Sequence, residues 1–138
     1  MQEFGMQQKL TWNKPTFAIV LLSFLWNLAL LIGVVFNAHF ALARAAGGQF
    51  TNFPIGIRIV YFLMSLLIVY QLWIFKLIFH TDPARPEWVV PIFFYLGLAG
   101  ILMNGISRSS AERWNVIPAA IITWSFWYFG MKKNPDLT

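Results

Sequence analysis

The chain has 138 residues with 10 basic and 5 acidic side chains, so 11% is charged, against roughly 25% in ordinary soluble domains. Its apolar share is 59% and its aromatic share 18%, more apolar surface than a soluble chain of this length can hide. These proportions exclude a water-soluble globular domain, and the lack of cysteine excludes disulfides, thiolate metal sites and cysteine nucleophiles.

Four uncharged runs organise the rest. The first, between Lys14 and Arg44, holds 29 residues and is read as a span over 15–43, with Pro15 in its first helical turn. Its apolar stretch from Thr16 to Phe36 is longer than the 7–15 residues or so of a signal-peptide core, so a retained helix is expected. The Gly47-Gly48 and Thr51-Asn52 region reads as a loop. A second span is expected over 57–79, where Arg58 and Lys76 enclose 17 uncharged residues and snorkel outward. A short turn with Pro83 and Pro86 leads to a third span over 87–106. Ser109-Ser-Ala-Glu112 has the spacing of a capping box and starts a fourth span over 111–131, with Pro118 inside it. About 20 helical residues cross a hydrocarbon core of about 30 Å, so the expectation is an all-α, single-domain bundle of four transmembrane helices. Strands are excluded, because the runs are apolar all the way round rather than alternating.

Basic residues orient the chain. With four spans, Lys9, Lys14, Lys76, Arg85, Lys132 and Lys133 share one side, and Arg44, Arg58, Arg108 and Arg113 the other. Six against four places both termini in the cytoplasm, in a plasma membrane, the inner one in a bacterium. The cations sit at helix ends rather than in one patch, so anionic lipid headgroups, not nucleic acid, are the expected partners.

Few residues offer chemistry. His39 and His80 belong at opposite membrane faces and cannot share one haem iron or metal, so no cofactor is expected. Every carboxylate lies outside the spans, which argues against proton coupling and against catalysis. The polar groups singled out within the spans are Ser23, Asn27, Ser65, Gln71, Asn104, Thr123 and Ser125. Facing lipid, their amides would be unpaired at a cost of several kcal/mol, so they are expected to bond between helices or to line a path. Gly97, Gly100 and Asn104 recur at i, i+3 and i+7 and form a smooth packing face, for the small residues of the fourth span or for another chain. Arg108, Glu112 and Arg113 could grip a lipid headgroup through two guanidiniums and a helix N-terminus.

Three readings of function follow. The favoured one is a non-enzymatic membrane subunit that associates through helix faces, as a homo-oligomer or within a larger complex. The second is a small oligomeric channel or carrier lined by Asn27, Gln71 and Asn104. The third is a lipid-headgroup-binding module or lipid-handling enzyme working at Arg108, Glu112 and Arg113.

Overall fold

A computed structural model describes residues 2–132, with side chains from Lys14 onward. Lys9 and Lys133 of the charge count lie outside those described side chains. Among the described residues the chain is all helical, with no strand. The elements are α1 (Gln2–Val35), α2 (His39–Leu42), α3 (Ile55–Phe79), α4 (Val89–Gly105), α5 (Ser110–Arg113) and α6 (Val116–Ser125), the last continued by a π-helical segment, Phe126–Lys132. Lys14–Val35 and Ile55–Phe79 are long and apolar enough to cross a membrane, and Val89–Gly105 is a shorter apolar helix.

Helix ends account for most departures from the expected boundaries. α1 does not run to residue 43. It stops where Asn37 takes a left-handed conformation (φ 55°), and Ala38 N–H reaches back to Gly33 O at 2.7 Å and Asn37 N–H to Val34 O at 3.0 Å. That paired pattern is a Schellman stop, with asparagine at the position glycine usually fills. α3 ends the same way at Thr81 (φ 53°), with Asp82 N–H on Leu77 O and Thr81 N–H on Ile78 O. Pro15 is interior to α1 rather than in its first turn, so one carbonyl a turn earlier lacks its amide donor. Ser109 does cap α5, accepting from Glu112 N–H, but Glu112 does not reach back to complete the box. The fourth apolar run is broken into α5 and α6. Pro118 falls in the first turn of α6, and the Trp114 carbonyl that it cannot serve accepts from Ile117 N–H at 3.2 Å.

α1 packs against α3 and α6, and α4 against α6 and the π-helical segment. At one end Phe17 stacks near Phe79 and His80, and Gly130 lets the π-helical segment approach Val90, whose Cγ1 would lie 2.5 Å from an added Cβ. Phe24, Phe75, Phe93, Phe126 and Phe129 fill this end with edge-on and tilted aromatic contacts. At the other end a smaller cluster of Leu30, Val34, Ala41, Ala45 and Phe53 lies under the connection between α1 and α3. The outside is as apolar as the inside: Ile59, Phe62, Leu63, Leu66, Val69 and Trp73 of α3 are all exposed.

The 36–54 connection folds as a strap over that second end. Arg58 Nε donates to Val35 O at 2.6 Å, placing a cation on the exposed carbonyls that end α1. Asn37 binds Phe53 N–H and Asn52, closing the strap on itself. Its tip, Ala46–Gly48, is a left-handed turn with φ of 50°, 74° and 67°, which only the two glycines adopt without strain.

Candidate binding cavity

Beneath the strap lies a half-open cavity of about 910 Å³, lined by residues of α1, α3, α4 and α6. Its volume falls in the range that takes a single small organic ligand. Ten residues of α3 separate Tyr61, beside the strap, from Gln71, so the chamber runs about 15 Å along the helix at 1.5 Å per residue. Its walls are Leu31, Met64, Leu67, Leu96, Met103 and Ile122, an apolar lining in the main.

The three amides expected as lining, Asn27, Gln71 and Asn104, come from three different helices and meet on this cavity. They do not bond between helices. Asn27 Nδ2 donates to Ser23 O at 2.9 Å and Asn104 Nδ2 to Gly100 O at 2.8 Å, each to its own helix. Those bonds satisfy one amide hydrogen and leave the side-chain carbonyl oxygens without a protein partner among the described residues. The side-chain amide of Gln71, a residue only 7% exposed, has no hydrogen-bond partner among the described residues. The hydroxyls behave like the asparagines: Ser23, Ser65 and Thr123 bond the carbonyl four residues back, and Ser125 the carbonyl three back. In place of the expected interhelical hydrogen bonds, every one of these residues but Gln71 back-bonds to its own helix. A helix interior offers a nearer acceptor than a neighbouring helix does.

The small-residue face divides in two. An added Cβ at Gly97 would overlap Thr123 Oγ1 and stand 3.0 Å from Thr123 Cβ, so this glycine is where α4 and α6 touch. At Gly100 an added Cβ meets nothing within 4 Å, and this residue opens onto the cavity. Of the two partners open to this face, another helix of the same chain takes the Gly97 part.

Polar groups gather at the strap end. Glu112 Oε2 accepts from Gly47 N–H at 2.8 Å and from the Ser107 hydroxyl, so the carboxylate holds the tip of the strap. Tyr61 Oη accepts from Ala46 N–H at 3.2 Å, and the Ser109 hydroxyl donates to Ala43 O. Asn115, 3% exposed, ties three elements together: its Oδ1 accepts from Trp26 Nε1 at 3.1 Å and its Nδ2 donates to Arg44 O at 3.2 Å. The indole N–H of Trp26 is thereby satisfied. Arg108 and Glu112 both line the cavity. Arg113 does not: its guanidinium turns to Ser107 O, 3.4 Å away, so the expected two-guanidinium grip is not assembled. The helix behind it is a single turn of four residues, too short for the N-terminal field expected there.

His39 opens α2 within the strap and His80 follows α3 at the far end, against Phe79 and Phe17, so the two rings share no site. Among the described residues no three His, Asp or Glu side chains gather as metal ligands. No protein-family model, no curated protein and no solved structure matches the chain.

Proposed function

We propose that this chain is a membrane-embedded binding protein that crosses the bilayer four times and holds one amphiphilic molecule in the cavity beneath its strap. The observation that carries the reading is the convergence of Asn27, Gln71, Asn104, Arg108 and Glu112, drawn from four separate segments, on one largely apolar chamber. An amphiphile matches that lining. Its apolar body replaces lipid against Leu31, Leu67 and Leu96, and its polar end meets the charged groups at the strap.

Exposed apolar side chains around the helices support residence in a bilayer. α4 has 17 residues and rises about 26 Å, close to the thickness of a hydrocarbon core. α6 and the π-helical segment together reach a similar length. With four crossings and cytoplasmic termini, the strap and the cavity mouth face the outer side. Lys14, Lys76 and Lys132 then sit among the anionic headgroups of the inner leaflet.

The chain acts by binding rather than by catalysis in this reading. Thr123 of the same chain fills the Gly97 part of the small-residue face, so that part is not proposed as a surface for another chain.

Gly100→Leu tests the proposal. The added side chain points into open space, so the fold is retained while the chamber is filled. Native mass spectrometry from mild detergent is expected to find one amphiphile on the wild-type chain and none on the variant. Equal occupancy of the two would sink the reading.

A further inference from the structure

Two charged groups at the cavity mouth are unspent. Arg108 lines the chamber, is exposed at its rim, and makes no hydrogen bond or ion pair among the described residues. Glu112 uses Oε2 for the strap and Ser107, while Oε1 takes no hydrogen bond among the described residues. The other arginines at this end are engaged with backbone carbonyls: Arg44 with Phe40, Arg58 with Val35 and Arg113 with Ser107. Arg108 and Glu112, four residues apart, nonetheless form no ion pair with each other. A free cation and a half-free carboxylate therefore flank the opening of an apolar chamber.

That pattern selects among headgroups. A neutral alcohol can hydrogen-bond to each group but brings an opposite charge to neither. A purely anionic headgroup would satisfy Arg108 and be repelled by Glu112, and a purely cationic one the reverse. A headgroup carrying a phosphate and an ammonium a few bonds apart satisfies both, through a guanidinium–phosphate contact and an ammonium–carboxylate contact.

We infer that the amphiphile held in this cavity is a single-chain zwitterionic phospholipid, its phosphate on Arg108 and its ammonium on Glu112. The inference rests on the binding reading above and adds the chemistry of the ligand. One acyl chain, rather than two, suits a chamber of about 910 Å³ that runs about 15 Å from Tyr61 to Gln71. The strap contributes as well. Because Glu112 is held by Gly47 N–H, the carboxylate is fixed in place before the ligand arrives, which lowers the entropy lost on binding.

The experiment is a titration of the delipidated full chain in detergent, read by tryptophan fluorescence. The probes are lysophosphatidylethanolamine, lysophosphatidylglycerol and monoacylglycerol of one chain length, with tail-free glycerophosphoethanolamine as a fourth. The zwitterionic lipid is expected to bind at least about tenfold tighter than either of the other lipids, and the tail-free compound far more weakly. Arg108→Gln should weaken both phospholipids, taking lysophosphatidylglycerol, which Glu112 repels, to or below the affinity of monoacylglycerol. Glu112→Gln keeps an acceptor for the strap and should abolish the preference for the ethanolamine headgroup, with the reversible unfolding of the variant as the check on folding. Equal affinity for all three lipids, or tighter binding of the anionic one, overturns the headgroup assignment while the cavity reading stands. Binding of the tail-free compound as tight as that of the lipid overturns the assignment to a lipid. Failure of every amphiphile to bind overturns the cavity reading itself, and this inference with it.

Discussion

Gly97→Ala is the sharpest probe of how α4 and α6 are held. The new Cβ would overlap Thr123 Oγ1, with Thr123 Cβ at 3.0 Å and Cγ2 at 3.1 Å. Thr123 cannot simply turn away, because its hydroxyl donates to Ala119 O at 2.7 Å and the residue is 3% exposed. Forcing one methyl into a packed contact costs about 1–3 kcal/mol. Rotating the threonine instead forfeits a hydrogen bond worth about 0.5–1.5 kcal/mol net. The cheaper of the two responses, or a mixture, sets an expected loss of about 1–2 kcal/mol. Reversible unfolding in mixed micelles, followed by tryptophan fluorescence, measures it. Thr123→Ala removes both Oγ1 and Cγ2, so the double variant should recover about 1 kcal/mol relative to the sum of the single changes. Strict additivity, or a Gly97→Ala loss below about 0.5 kcal/mol, would refute the close approach of α4 and α6.

Other perturbations have separate causes. Thr81→Gly should stabilise the chain by about 1 kcal/mol, since a β-branched residue at φ 53° is strained there, and the same unfolding assay reports it. Gly47→Ala meets no atom within 4 Å, so its loss of about 1–2 kcal/mol should come from the left-handed φ alone. Asn115→Ala strips partners from Trp26 Nε1 and Arg44 O at once and should cost about 1–3 kcal/mol, with a shift in indole emission. Phe126→Ala empties a site that is fully buried between Phe24 and Phe93 and should cost about 3 kcal/mol or more.

Composition and apolar run length suffice to read an all-helical chain with long apolar helices, because both follow from local hydrophobicity. The stops are harder to read. Asn37 and Thr81 end their helices through a left-handed residue, and neither carries the glycine that usually announces it. The π-helical segment follows from nothing local. It lies where Gly130 meets Val90, a contact between segments forty residues apart.

The polar candidates were identifiable as residue types, since amides in an apolar run have few alternatives. Their geometry was not. Back-bonding to the residue four before leaves no mark in the sequence, and the contact of Gly47 with Glu112 joins residues 65 positions apart. That contact separates Glu112 from Arg113, which sequence alone had grouped as one headgroup clamp with Arg108.

Photo-crosslinking from inside the chamber tests the central claim most directly. Leu31 lines the cavity and is 7% exposed, so a benzoylphenylalanine there reports on the contents of the chamber rather than on bulk lipid. Ile59, exposed on the outer face of α3, serves as the bulk-lipid control. Irradiation in native membranes followed by intact mass measurement should give one dominant amphiphile adduct at position 31 and a broad lipid mixture at position 59. The account is contradicted if position 31 yields an adduct to another protein chain, or the same lipid mixture as position 59.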